Sequence, residues 1–286
     1  MTIEKKNEII ETLKQDMEGF QIREVEIEKN NQQMRQGICV KREGEKLGAV
    51  LYWEDVERIL GTDCTKEDAV QYIYCRAVQN LKEAVLPKEM FLWECAKEHV
   101  FLKLINWKKN KDRMKELVCS PYLDLLKVCY LSLDMPAGNG TAEVSHDLLQ
   151  IWGITEEELF WQAEKNAEKE GYEVRFLREL LEGLPLELPK EEVPLKVIQN
   201  REQTYGAGIL GNLKFLKKVL GEESYYILPS SKHELLLYPF DEETRPEDLR
   251  SMVQEVNATV VSENDFLSDN IYLYDKKYGI IFIGEK

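Results

Sequence analysis

Ser230, Ser231, His233 and Glu234 stand within one short stretch of the chain, between two segments of strand character, and Asp269 follows in a later loop. These are the residue types of an activated serine: a hydroxyl, an imidazole that takes its proton, and a carboxylate that orients the imidazole. Such chemistry needs the base within about 3 Å of the hydroxyl. Along a strand, however, Lys232, His233 and Glu234 alternate between opposite faces. The competing reading is a Pro-Ser-Ser turn at 229–231 whose hydroxyls satisfy local backbone groups. A serine-type hydrolase using the Ser230, Ser231 and His233 region, with Asp269 as orienting acid, is therefore the alternative expectation, and none of the four is assigned a catalytic role.

Two further patterns imitate known sites and fail on context. Gly206-Ala207-Gly208-Ile209-Leu210-Gly211 satisfies G-x-G-x-x-G and precedes a helical segment from Asn212. A dinucleotide loop needs a buried strand just before its first glycine. Here Asn200-Arg201-Glu202-Gln203-Thr204-Tyr205 is polar, and the later strand 225–228 runs into Pro229-Ser230-Ser231 where a ribose-binding acid belongs. The glycines read instead as small residues of a strand packed beneath a helix, and no cofactor is expected. His233-Glu234 opens like a zinc-protease motif, but Leu236 and Leu237 follow where a second His is required. With 3 histidines and no C-x-x-C pair among 6 cysteines, no metal site is expected either.

Asn106, Asn110, Asn257, Ser268 and Asp269 have the polarity to line a site, yet Asn and Asp recur wherever helices end and turns begin. Tyr225, Tyr226, Tyr238, Tyr272, Tyr274 and Tyr278 supply a binding face or, more simply, fill a half-buried sheet. The 38 Lys and Arg against 53 Asp and Glu give a formal charge of -15, which repels polyphosphate and anionic lipid. A local exception runs from Lys103 to Lys115 around Trp107; on a helix Lys108, Lys111 and Lys115 would share one face. It reads as a solvated helix face, so no nucleic acid is expected as a partner. Most of the cysteines lie among apolar neighbours and suit reduced thiols in a cytoplasm. Apolar runs fall far short of the roughly 20 residues that span a bilayer, so no membrane partner is expected.

The elements that would position these residues follow from periodicity. Apolar residues at 9, 10, 13 and 17 predict a first helix over Glu4 to Met17, and alternation predicts strands at 20–27, 37–41 and 47–52, a small antiparallel meander. From Glu54 to about Val118 the pattern is helical, with Thr65 to Asp68 as an N-terminal signal. Thr155-Glu156-Glu157-Glu158 opens a helix through Ala167. A linker is expected at Asp134 to Gly140, and a second, with Pro185, Pro189 and Pro194, from Gly183 to Pro194. Beyond it the chain alternates strands at 195–199, 204–210, 225–228, 234–238, 271–274 and 280–283 with helices at 212–220 and 246–256. Two strands then a helix recur, which fits an antiparallel sheet with helices on one face.

The expected class is thus α+β. Residues 1–135 form a helix-rich part with a small meander, and residues 136–286 an antiparallel sheet of ββα units.

Segments 104–111, 152–159 and 227–234, followed by Met252 to Asn257 and Leu267 to Asn270, resemble in this order the bacterial family DUF5688, found mainly in gut anaerobes of the clostridial type. The resemblance covers nearly the whole chain and implies no established activity, substrate or catalytic residue. The function expected from the residues is a non-catalytic cytoplasmic binding or regulatory protein with a protein partner, because acidic, aromatic-bearing surface, which steers toward basic partners, is plentiful while no catalytic constellation survives.

Overall fold

A computed structural model describes residues 1–44, 48–83, 87–135, 138–181, 194–229 and 231–284. The chain divides into two compact units, Met1–Lys88 with Asp134–Gly140, and Glu89–Leu133 with Thr141–Lys286.

The first unit opens with helix α1 (Ile3–Asp16), capped by the Thr2 hydroxyl, and the meander β1 (Phe20–Glu28), β2 (Met34–Arg42) and β3 (Ala49–Tyr52), paired in that order. Helices α2 (Trp53–Leu60) and α3 (Lys66–Glu83) follow. Thr65 and Asp68 cap α3 reciprocally, each side-chain oxygen accepting the other's backbone N–H at 3.1 Å. Ile9 and Leu13 of α1, Ile38 and Val40 of β2, Leu51 of β3 and Ile73 and Ala77 of α3 make one apolar core. The periodicity that predicted these elements is the pattern of their buried faces.

The second unit begins with a short helix α4 (Trp93–Ala96) and strand β4 (Val100–Asn106). β5 (Cys119–Tyr122), β6 (Leu125–Met135) and β7 (Gly138–Glu143) complete a sheet in which β6 pairs β4, β5 and β7, the ends of β6 and β7 within 134–140 being counted with the first unit. The stretch expected to link domains at 134–140 therefore carries the ends of two paired strands; its residues 136–137 lie outside the described ones. Helices α5 (His146–Trp152) and α6 (Glu156–Asn166) come next, then β8 (Glu173–Phe176), α7 (Leu177–Leu181) and β9 (Lys196–Gln199). Thr155 caps α6 as expected, but the Glu158 carboxylate accepts from the Trp93 indole at 3.1 Å. The expected linker at 183–194 lies, but for Pro194, outside the described residues.

The chain then forms a buried 3-10 turn at Gly206–Gly211, α8 (Leu213–Leu220), β10 (Tyr225–Leu228), β11 (Glu234–Pro239), α9 (Pro246–Thr259), β12 (Ile271–Asp275) and β13 (Gly279–Ile283). A six-stranded antiparallel sheet results, ordered β13-β12-β10-β11-β9-β8. The α+β class holds, but both faces of this sheet are covered. Tyr226, Leu228 and Ile271 pack on Leu249 and Val253 of α9, whereas Tyr225, Ile227, Leu235, Tyr272 and Tyr274 pack with the 3-10 turn and Leu216 of α8. Four of the C-terminal tyrosines, Tyr225, Tyr226, Tyr272 and Tyr274, are thus core residues, while Tyr278 is exposed.

Two elements differ in kind from the sequence reading. Val100–Asn106 is a strand inside the stretch read as helix, because its nearly unbroken apolar run carries no period that separates a buried strand from a buried helix. The segment 204–210, read as a strand, is instead the 3-10 turn, whose six residues are all buried. A Cβ on Gly208 would stand 2.3 Å from the Leu102 carbonyl oxygen of β4, and one on Gly206 2.5 Å from that of His233. The G-x-G spacing therefore serves backbone-to-backbone packing of the turn against neighbouring chain segments. Replacing Gly208 with Ala should force these backbones apart and lower the stability of the second unit by about 2 kcal/mol. Urea denaturation reads this as a lower midpoint; an unchanged midpoint contradicts the packing role.

Candidate functional site

The residues of chemical interest in the second unit gather around Tyr205, just before the 3-10 turn. Its backbone is left-handed, with φ 57°, a conformation that costs a non-glycine residue about 1–3 kcal/mol and persists only where surroundings enforce it. The enforcing contacts are plain. The Tyr205 ring stacks on His233 with centroids 5.7 Å apart and planes 12° apart, and meets Tyr130 of β6 edge-on at 4.9 Å. Lys103 Nζ lies 4.5 Å and Lys232 Nζ 5.7 Å from the ring centroid, and both lysines are buried.

Neither lysine is left unpaired, as burial of a charge demands. Lys103 donates to Glu143 of β7 at 2.5 Å, and Arg113 donates to the other oxygen of the same carboxylate. Burial pushes Glu143 up, but the two cations outweigh it and hold the carboxyl below its ordinary value. Lys232 donates to the Asn264 carbonyl at 3.0 Å and pairs with Asp265 at 2.9 Å. Burial likewise raises Asp265, yet Lys232, the Ser262 hydroxyl and His233 bring it down to about 2.

The sequence candidates are brought close but are not joined. Ser231 Oγ donates to Glu234 at 2.7 Å and accepts from the backbone N–H of His233 at 3.0 Å. His233 Nδ1 accepts from the backbone N–H of Tyr205 at 3.4 Å, and Nε2 faces Asp265 Oδ1 at 3.2 Å. An Nδ1 that accepts places the ring proton on Nε2, aimed at Asp265. The hydroxyl and the imidazole are thus each engaged elsewhere. Asp269 is exposed and accepts from Asn257 at 3.0 Å; the carboxylate on His233 is Asp265. Ser230 lies outside the described residues.

Behind Tyr130 sits a half-buried carboxyl that periodicity and motif both passed over. Glu170, at the end of the 3-10 turn Ala167–Glu170, accepts from Asn200 at 3.1 Å and from Tyr130 and Tyr172 at 3.3 Å each. Burial pushes Glu170 up to about 7 although all three donors favour its charged form. Burial raises both phenols as well, which keeps them donors. Asn200 also binds the Thr204 carbonyl at 2.7 Å and N–H at 3.0 Å, and so closes the loop that delivers Tyr205.

The asparagine and serine candidates form a separate seam. Asn106 donates to the Leu267 carbonyl at 2.9 Å and caps Lys109 N–H at 2.9 Å, while Asn257 donates to the Ser268 carbonyl at 2.9 Å. At its centre the Asp124 carboxylate accepts from Ser268 at 2.6 Å, Asn270 at 2.9 Å and Tyr272 at 2.6 Å. These are turn and strand anchors of the kind expected of such residues. The basic stretch at 103–115 is not a helix. Lys103 belongs to β4, and the rest lies around two 3-10 turns, Lys108–Asn110 and Asp112–Lys115, with Lys109 paired to Glu263 at 2.7 Å. Among the described residues no group of three His, Cys, Asp or Glu could hold a metal ion, and no helix is long and apolar enough to cross a membrane.

Fold and site together define an α+β protein whose larger unit holds two antiparallel sheets and a polar centre in which buried lysines pair with half-buried carboxylates. The chain belongs to the DUF5688 family, a family of unknown function whose model matches residues 3–276. Neither curated proteins nor solved structures give a match.

Two outcomes follow from the polar centre. Asp265→Ala should strand the Lys232 ammonium and cost about 3 kcal/mol in denaturant unfolding, and a loss near zero would show that Lys232 is not held by this pair. Glu170 binds its proton more tightly when folded, with its value at about 7, than at the ordinary 4.5. Its contribution to stability is therefore complete below about 4.5 and is lost as the pH rises through about 7. Glu170→Gln, which stays neutral, should flatten the stability profile across that window, whereas profiles that stay parallel would contradict the assignment.

Proposed function

We propose that this protein is a non-catalytic binding or regulatory protein whose partner is another protein. The observation that carries this reading is the mutual saturation of the polar centre. Ser231 is engaged by Glu234, His233 by Asp265 and the Tyr205 N–H, and Lys103 and Arg113 by Glu143. A catalytic constellation keeps a nucleophile, a base and a place for the reacting atom free to meet. Here the same residue types are spent on holding a strained loop.

The basic stretch supports the expectation of no nucleic-acid partner, since Lys103, Lys109 and Arg113 each meet a carboxylate. Cytoplasmic residence is supported by six cysteines that are all free.

A serine-type hydrolase at Ser230, Ser231 and His233 is the second reading, favoured by one observation, the Asp265 carboxylate 3.2 Å from His233 Nε2. It requires the imidazole to exchange its Tyr205 contact for a serine hydroxyl.

A fluorescent fluorophosphonate separates the two. The binding reading expects no labelling of the full chain, and cross-linking in the native host followed by mass spectrometry should return a partner that rebinds as a purified protein. Labelling that disappears in Ser230→Ala or Ser231→Ala, together with hydrolytic turnover, would overturn it.

A further inference from the structure

Helices α6 and α8 of the second unit face each other across an open groove of about 810 Å³. Two contacts fix its walls. Asn212, which caps α8, donates to the Glu164 carbonyl of α6 at 2.9 Å, and Lys218 of α8 pairs with Glu168 at 2.7 Å. Glu164 is also approached by Lys127 at 3.5 Å.

What remains is unusual in a chain of formal charge -15. Trp161 is 60% exposed and Phe215 lines the opposite wall, its ring held edge-on by Tyr172 at 5.8 Å. Lys165 lies over the Trp161 ring, at 5.0 Å, and helps to hold Glu98 down from a distance; among the described residues neither it nor Lys214 forms a close ion pair. The groove thus pairs an uncovered indole with two ammonium groups that have no close carboxylate among the described residues, after its own carboxylates are met by Lys127 and Lys218. Helical spacing puts Trp161 and Lys165 on one face of α6, and Lys214 and Lys218 on one face of α8.

We infer that this groove receives an acidic segment of a partner protein, with an aromatic or aliphatic side chain seated on Trp161 and Phe215 and flanking carboxylates on Lys165 and Lys214. The inference rests on the binding reading above and names the chemistry of the occupant. Charge complementarity selects it: a basic segment would meet Lys165 and Lys214 directly, and a neutral one would leave both without use. Aromatic anchors ringed by charge are where interface energy concentrates. The surrounding negative charge of the whole chain disfavours anionic ligands at long range, so contact depends on the groove itself.

The test uses the full chain and a panel of short fluorescent peptides in which Glu pairs flank Phe, Leu or Trp, beside counterparts with Gln or Lys in place of Glu. Fluorescence anisotropy should show binding of acidic members, weakening as salt is raised. Affinity should drop about tenfold or more in Lys165→Glu combined with Lys214→Glu, and again in Trp161→Ala. These side chains are partly or wholly exposed, and circular dichroism confirms that the variants fold.

Equal binding of the Gln peptides, preference for the Lys peptides, binding that ignores the variants, or no binding by the panel would each overturn the inference. The broader reading fails separately. A purified partner whose binding is lost in Trp161→Ala while every acidic peptide fails would keep the binding function and remove the acidic occupant. Fluorophosphonate labelling with turnover would remove the binding function itself.

Discussion

The second unit depends on one close approach, the passage of the Gly206–Gly211 turn beneath β4. The Gly208 α-carbon lies so near the Leu102 carbonyl that any side chain would collide with backbone, and backbone cannot swing aside as a flexible side chain can. Ala207, Ile209 and Leu210 of the turn enter the same core as Leu104, Ile198, Leu235 and Tyr272. The turn is therefore the wedge on which both sheets of this unit close. Its small residues are dictated by space, and their likeness to a phosphate-binding loop is incidental.

Delivering the chain into that wedge is the source of the polar centre. Tyr205 must turn left-handed immediately before Gly206, and the ring stack on His233, the two lysines and the Asn200 loop clamp hold it there. Each clamp member then needs a partner because burial leaves no water to serve as one. Lys103 takes Glu143, Lys232 takes Asp265, and Asn200 takes Glu170. Burying such pairs is expensive, and their retention fits a role in fixing one loop geometry. The groove proposed as a binding surface lies on α6 and α8, whose mutual anchor is the Asn212 cap at the other end of the same turn.

Legibility in the sequence tracked the range of the interactions. α1, the meander, α8, α9 and the strand at 234–238 declared themselves because one local period wrote both the element and its buried face, while the strands at 225–228 and 271–274, buried almost throughout, were legible as short aromatic and branched runs bounded by turn residues. The Thr65 and Thr155 caps were readable for the same reason. β4 was not, since Val100–Asn106 is buried almost throughout and shows no alternation. Ser231 and His233 were singled out by type, but the partner of His233 lies at 265 and not at 269, in a loop whose approach no local pattern encodes. Glu170, Glu143 and Asp124 carried no signal at all. Each is an ordinary acid in the sequence and becomes decisive only where distant donors converge on it.

The account turns on whether the unprotonated Nδ1 of His233 is held by the Tyr205 N–H, because that decides whether the ring braces Tyr205 or stands ready as a base. Nitrogen-detected NMR of the full chain resolves the two ring nitrogens, and with 3 histidines in the sequence the His233 signals are assignable by substitution. The account predicts a protonated Nε2 facing Asp265 and an unprotonated Nδ1 coupled to the Tyr205 amide. An unprotonated Nδ1 with no coupling to the Tyr205 amide would contradict it and leave that nitrogen to the service of a neighbouring serine.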